Sequence, residues 1–177
     1  FPNLTSYLIL RGVNIVQTAS IIRYLGKKHG FNGSNEKEAL AIDSLFEGVL
    51  DLFVGVIKVK FADPSKQAAE LESFTNEFAP KILAHFQRAL ESNHGGQGSA
   101  LHNASHNPYS RAKSNKTGYL VGDKLSYADV ELFVGLLFVS KLTGDAVVPK
   151  FPTLAKYYER ISNLPAVKKY YSSDPYA

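Results

Sequence analysis

Three groups of residues have types and positions that suit binding chemistry. Gln17 and Thr18 stand where a β-prone run passes into a helical pattern, and a helix N-terminus offers N–H donors and a positive dipole end to a carboxylate. Asp51 lies among apolar neighbours, and Phe61 ends the same helical pattern. The structural alternatives stay open: a helix cap for Gln17 and Thr18, a solvated or ion-paired Asp51, and core packing for Phe61.

Two further pairs have a simpler explanation than catalysis or metal binding. Ser126 and Asp129 fit an N-cap hydroxyl with a carboxylate three residues later, and this capping box accounts for both. His102 and His106 have a spacing that suits a metal on a helix, but the surrounding stretch is rich in Gly, Ser and Asn and lacks carboxylates. We therefore expect no metal site.

The composition is that of an ordinary globular protein. Of 177 residues, 45% are apolar and 20% are charged, which excludes intrinsic disorder as the main state. The absence of Cys excludes disulfides and thiolate nucleophiles. The longest apolar run, 132–139, is far shorter than the roughly 20 residues of a membrane helix. No secretory signal opens the sequence, so we expect a cytoplasmic protein with no membrane partner, and we treat the sequons at Asn103 and Asn115 as chance matches.

The small positive charge does not indicate a nucleic-acid partner. The net charge is +4, and Lys and Arg occur in scattered pairs instead of blocks. Tyrosines near Lys168 and Lys169 could stack on bases, but helical packing is the commoner use of such residues. Nucleic-acid binding therefore ranks last among the functions considered.

The N-terminal residues predict two strands and a helix. Residues 7–10 and 13–16 form short β-prone runs around Arg11-Gly12, typical of a hairpin. A helical pattern follows to His29, and Gly30 ends it. Two strands bury too little to be stable alone, so a partner or preceding residues must complete the sheet.

The rest of the sequence predicts helices. Spacing of apolar residues predicts helices over 40–61 and 66–90, with Pro80 kinking or splitting the second. Residues 91–118 are predicted to be a surface insertion, and three helices follow it. We therefore predict an α/β unit over 1–30 and an all-α domain over 36–177.

Several segments, in this order, resemble the glutathione transferase family, closest to its mu or sigma class. One group resembles the second half of the thioredoxin-like domain, and the other resembles the all-helical C-terminal domain. The segments are 1–4, 7–9 and 16–25 in the first group, and 122–129, 151–154 and 163–167 in the second. The resemblance implies a partial thioredoxin-like domain joined to a glutathione transferase C-terminal domain.

The resemblance also implies an activity. Glutathione is the expected co-substrate, its thiolate attacking a hydrophobic electrophile, or serving a sigma-like isomerase or peroxidase reaction. The implied glutathione contacts are Asn3, Leu4, Gln17 and Thr18, with Asp51 from the partner subunit of a homodimer. Phe61 is implied for the substrate pocket.

Two departures from the family pattern favour a non-catalytic alternative. Thr5-Ser6 stands where the family has a cis-proline. The Tyr or Ser that activates the thiol is expected upstream of Phe1, so no catalytic residue is assigned in this sequence. The alternative is a glutathione-transferase-like module for dimerisation or scaffolding in a larger assembly.

Overall fold

The computed structural model describes residues 7–10, 13–93 and 117–173. Strands β1 (Tyr7–Leu10) and β2 (Val13–Val16) form the predicted antiparallel hairpin, with Tyr7 opposite Val16. Ile9 and Val16, on the same face of the hairpin, are 69% and 50% exposed. This face of the hairpin therefore has no cover from the described residues.

Seven α-helices occur in the described part of the chain. They are α1 (Thr18–Lys28), α2 (Glu36–Lys60), α3 (Gln67–Ser73), α4 (Ala79–Ser92), α5 (Tyr127–Thr143), α6 (Pro152–Ser162) and α7 (Pro165–Ser173). A π-helical turn, Phe74–Phe78, joins α3 to α4, and a 3-10 turn, Val148–Lys150, precedes α6. The predicted fold class, an α/β part followed by an all-helical part, is confirmed.

Helix α2 begins four residues before the predicted start. Asn35 caps it, because the Asn35 side chain accepts a hydrogen bond of 3.0 Å from the Glu38 N–H. The Glu38 carboxylate in turn accepts one of 2.7 Å from the Ser34 N–H. The predicted start followed the apolar spacing, which begins later than these polar capping residues.

The helix predicted over 66–90 is divided just before Pro80, into α3, the π-helical turn and α4. The backbone widens into the π-helical turn just before it, where the Ala79 N–H donates to the Phe74 carbonyl, and α4 then continues. Gly55 on α2 makes room for this turn, since a Cβ there would lie 2.2 Å from the Phe78 ring. The π-helical turn thus connects α3 to α4 at the position of the proline.

The core lies between α2 and α5, with α4 and α6 packed beside them. Its largest fully buried side chains come from all four helices and include Ile42, Phe46, Leu52, Leu83, Leu90, Leu132, Leu136, Leu154 and Ile161. Among the described residues, no helix is both long and apolar enough to cross a membrane.

Buried hydrogen bonds hold the two ends of the predicted insertion. Asn93 is 3% exposed, and its Nδ2 donates to the carbonyls of Tyr119 and Gly122 at 2.7 and 2.9 Å. The predicted loop began at Glu91, but α4 continues to Ser92. The remainder of the insertion, with His102, His106 and both sequons, lies outside the described residues.

Candidate functional site

Gln17 has a strained backbone at the start of α1. Its φ and ψ are 75° and 116°, a region that a residue with a Cβ rarely adopts. Such strain costs of order 1–3 kcal/mol and occurs where the surrounding structure enforces it, often at binding sites. Gln17 occupies the cap position but makes no capping hydrogen bond with its side chain, and Thr18 is the first helical residue. The structure thus places Gln17 at the N-cap, and the binding role of Gln17 and Thr18 stays a prediction.

Arg23 ties α1 to α2. Its Nε donates to Asp43 Oδ1 at 2.6 Å, and its guanidinium also donates to Glu47. The guanidinium lies 5.1 Å from the centre of the Phe46 ring. The hydrogen bond with Asp43 and the charge of Glu47 hold the pKa of Arg23 above its usual value. The ion pairs are partly exposed, so they fix the position of α1 more than they stabilise the fold.

Helix α5 joins the same cluster through Tyr127. The Tyr127 hydroxyl donates to Asp43 Oδ1 at 3.0 Å, and the Tyr127 N–H donates to the Phe31 carbonyl at 2.9 Å. Burial, followed by the hydrogen bond to Asp43, raises the pKa of Tyr127. Gly26 of α1 packs directly on the Tyr127 ring. Contacts from Arg23 and Tyr127 to Asp43 thus join α1, α2 and α5, and α1 is the helix that begins at Thr18.

Sequence reasoning missed this cluster. Arg23 and Asp43 are 20 residues apart, and Tyr127 and Asp43 are 84 apart, so no local pattern joins them. The available signal was the spacing of Asp43 and Glu47, which puts two carboxylates on one face of a helix. Such a pair indicates a cation on a neighbouring element.

Asp51 lies on the exposed surface of α2, one turn beyond Glu47. Among the described residues it has no ion-pair partner within 4.0 Å, whereas Lys58 on the same helix pairs with Glu70 at 2.8 Å. The structure therefore places Asp51 at the surface, outside the salt bridges formed among the described residues. Asn3 and Leu4, the other predicted contacts, lie outside the described residues.

Phe61 belongs to an exposed apolar stripe on α2. Val54, Ile57 and Phe61 are 64%, 54% and 62% exposed. The core-packing alternative for the Phe61 side chain is therefore wrong. Contiguous exposed apolar side chains mark surfaces that bind a ligand or another protein.

Ser126 and Asp129 form the capping box of α5. The Ser126 side chain accepts from the Asp129 N–H at 3.3 Å, and the Asp129 carboxylate accepts from the Ser126 N–H at 2.9 Å. Asp129 is fully buried, and burial raises its pKa although hydrogen bonds from Ser126, Leu120 and Tyr157 oppose that shift. This geometry makes the pair structural.

Comparison with known proteins identifies the family. Residues 50–174 match the sequence model described as "Glutathione S-transferase, C-terminal domain", which covers well over half of the chain. This chain belongs to the glutathione S-transferase family.

Relatives and solved structures agree with the family assignment. The chain is 32% identical over 159 residues to human glutathione S-transferase A2 and 31% identical to glutathione S-transferase P 10 of Caenorhabditis elegans. Each alignment covers 90% of this chain, but the chain spans only 61% and 63% of those relatives.

Two solved structures have the same fold. A pi-class glutathione S-transferase of Onchocerca volvulus is 28% identical with a TM-score of 0.70, and the match covers 90% of this chain and 65% of that one. Prostaglandin synthase D of Nilaparvata lugens is 26% identical with a TM-score of 0.74, covering 96% and 73%. The predicted mu or sigma class of this chain stays a prediction.

Proposed function

We propose that this chain binds glutathione as part of a dimeric glutathione transferase and presents a hydrophobic electrophile to its thiolate. The observation that carries the proposal is the strained Gln17 at the N-terminus of α1 in a member of this family. Strain at an exposed residue whose side chain makes no capping hydrogen bond is expected where a ligand uses the conformation. Both named relatives are glutathione S-transferases, which supports the choice of ligand.

The γ-glutamyl end of glutathione carries a carboxylate and an amine, and each has a suitable partner. The N-terminus of α1 favours the carboxylate through its N–H groups and dipole, and the Thr18 hydroxyl and Gln17 amide add polar contacts. Asp51 of a second subunit would hold the amine. The surface position of Asp51 supports this role, because a carboxylate that already formed a salt bridge would be less able to bind the glutathione amine.

The apolar stripe formed by Val54, Ile57 and Phe61 suits a hydrophobic electrophile and a second subunit. We assign Ile57 and Phe61, at the end of α2, to the electrophile. Val54, one turn after Asp51, is assigned to the subunit interface. In conjugation the sulfur donates an electron pair to an electrophilic carbon, an S–C bond forms, and the leaving group departs with the electrons of its bond.

Glutathione titration tests this proposal. Calorimetry of the chain is expected to show saturable binding, and the Gln17→Ala/Thr18→Ala double variant should weaken it at least about tenfold, or about 1.4 kcal/mol.

Gln17→Gly should also weaken binding while raising the free energy of unfolding, since glycine adopts a positive φ without strain.

Cysteinylglycine is the matched control ligand, because it lacks the γ-glutamyl group. It should bind weakly and equally to the chain and to the double variant. Absence of glutathione binding, or an affinity that the double variant retains, would contradict the proposed site and leave the non-catalytic dimerisation module as the better interpretation.

Sedimentation tests the proposed dimer. Val54→Lys is expected to raise the dimer dissociation constant at least about tenfold, because it places a charge in a desolvated interface. Tyr170→Lys is the matched control, since Val54 and Tyr170 are both 64% exposed and Tyr170 lies on α7. A monomer at micromolar concentration, or equal effects of both substitutions, would count against this dimer.

The structural match to a prostaglandin synthase D supports a second reaction, isomerisation of a prostanoid-type substrate with glutathione. Both reactions use the same glutathione site and an apolar second substrate. Product analysis with an aryl halide and with a prostanoid endoperoxide distinguishes conjugation from isomerisation.

A further inference from the structure

A small cavity lies beyond the C-terminal end of α1. Helix α1 has 11 residues and is about 16 Å long, and Gln17 and Thr18 stand at its other end. The cavity has a volume of about 210 Å³. Its walls come from residues 30–34, from the first turns of α2 and from residues 121–125, which precede α5. This cavity is therefore separate from the proposed glutathione site.

Hydrogen bonds within the chain hold the walls of the cavity together. The Tyr127 N–H donates to the Phe31 carbonyl at 2.9 Å, which joins the start of α5 to the segment before α2. The Asn93 side chain donates to the Gly122 carbonyl at 2.9 Å, which fixes the segment before α5 to the end of α4. The walls are therefore held in place by the fold itself, and a preformed site lowers the cost of ordering on binding.

Glu38 is the acidic residue of this cavity. Its Oε2 accepts from the Ser34 N–H at 2.7 Å. Among the described residues no donor reaches Oε1, and no cation lies within 4.0 Å of the carboxylate. Gly122 packs against this carboxylate, since a Cβ there would lie 3.2 Å from its carbon atom. The carboxylate is therefore fixed in position with one oxygen left to accept from a ligand.

Lys124 is the basic residue of the cavity, and apolar side chains complete the lining. Lys124 is exposed, and within the described ranges it forms no ion pair within 4.0 Å, either with Glu38 or with another carboxylate. Ile42, Val121 and Leu125 also line the cavity. The cavity thus combines one carboxylate, one ammonium group and an aliphatic surface.

The size and chemistry of the cavity indicate a small ligand with two opposite charges. A volume of about 210 Å³ corresponds to about seven water molecules at ~30 Å³ each, below the roughly 300–1,000 Å³ of sites for larger ligands. A carboxylate binds an ammonium group, and a lysine binds a carboxylate, through charge-assisted hydrogen bonds. An aliphatic α-amino acid carries both charged groups on one carbon atom together with an apolar side chain, so it matches all three parts of the lining.

We propose that this cavity binds a free aliphatic α-amino acid. Glu38 Oε1 accepts from the ammonium group of the amino acid, and Lys124 donates to its carboxylate. Ile42, Val121 and Leu125 contact its side chain. The chain then has a second small-molecule site, at the opposite end of α1 from the residues assigned to glutathione.

The test compares L-leucine with two probes that each lack one charged group. The probe 4-methylpentanoate has no ammonium group, and 3-methylbutylamine has no carboxylate. Binding is followed by the amide chemical shifts of Gly30, Gly33 and Val121, which line the cavity. L-leucine should give saturable shifts and bind at least about tenfold more tightly than either probe, because each probe leaves one charged residue of the cavity without its partner.

Two variants separate the two charged contacts. Glu38→Gln should weaken L-leucine binding at least about tenfold and leave the binding of 4-methylpentanoate unchanged, while its amide oxygen still accepts from Ser34. Lys124→Gln should weaken L-leucine binding about fivefold and leave 3-methylbutylamine unchanged, the loss being smaller because an exposed charge is screened. Glu36→Gln and Lys37→Gln are the matched controls, since both residues are exposed in the first turn of α2 outside the cavity lining.

Three outcomes would overturn the proposal. The first is no saturable shift with L-leucine up to about 20 mM, a concentration that fills even a millimolar site. The second is equal affinity for L-leucine and both probes. The third is an equal loss of affinity in the control variants, which would assign the effect to net charge. None of these readouts involves glutathione, so they stand or fail independently of the proposed function.

Discussion

Replacing Asp129 with alanine is expected to lower the free energy of unfolding by about 3–5 kcal/mol. Four hydrogen bonds end on this carboxylate: two from Ser126 at 2.6 and 2.9 Å, one from the Leu120 N–H at 2.9 Å and one from the Tyr157 hydroxyl at 3.1 Å. The donors of Ser126 and Leu120 would lose this acceptor inside the core, where water cannot replace it, whereas the Tyr157 hydroxyl keeps the Asp129 carbonyl at 2.9 Å. Helix α5 would also lose half of its capping box.

Urea denaturation monitored by circular dichroism measures this loss of stability. Asp129→Asn should cost less than the alanine variant, because an amide still accepts through one oxygen. Ser126→Ala should cost about 1 kcal/mol, the usual effect of losing an N-cap. If Asp129→Ala lowered the free energy of unfolding by less than about 1 kcal/mol, the hydrogen bonds of the carboxylate would do little more than offset the cost of burying it.

The capping box shows what the sequence alone could predict. Ser126 and Asp129 interact three residues apart, and so do Asn35 and Glu38, whose geometry is equally local. The hairpin and the helices could be predicted for the same reason, because the apolar patterns that indicate strands and helices repeat every two to four residues. Applying the capping rule at Asn35 would have placed the start of α2 correctly.

The cluster around Arg23 shows what local patterns could not predict. Its contacts bring together α1, α2 and α5 and depend on the packing of all three helices. The strained backbone of Gln17 could not be predicted either, because glutamine has no preference for a positive φ.

Other parts of the candidate site lie beyond one chain. The role of Asp51 needs a second subunit, so its surface position is all that a single chain contributes. The domain division at residues 30–36 stays a prediction, since α1 packs on α5 through Gly26 and Tyr127. The proposed ligand comes from the family resemblance, and the positive φ of Gln17 supports its place in the proposed site.

The second large effect is expected at Gly26. A Cβ at this position would lie 2.5 Å from Cδ1 of Tyr127, closer than atoms can approach without movement. The ring cannot yield easily, because it packs edge-on against Phe46 at 5.3 Å and its hydroxyl bonds to Asp43. Helix α1 must move instead, and it carries Gln17 and Thr18.

Gly26→Ala is therefore expected to lower the free energy of unfolding by about 2–3 kcal/mol, although alanine is the better helix former by about 1 kcal/mol. Glutathione affinity should fall as well, because the N-terminus of α1 shifts. Gly48→Ala is the matched control, since its Cβ would make an ordinary contact of 3.4 Å with Phe86. That variant should gain up to about 1 kcal/mol.

Urea denaturation and glutathione titration of both glycine variants check these expectations together. If Gly26→Ala were as stable as Gly48→Ala, the contact between α1 and α5 would be looser than the packing of Tyr127 implies. If it were destabilised but bound glutathione normally, Gln17 and Thr18 would be positioned by the hairpin and not by α5. Loss of both properties together would show that the close approach at Gly26 positions the glutathione site.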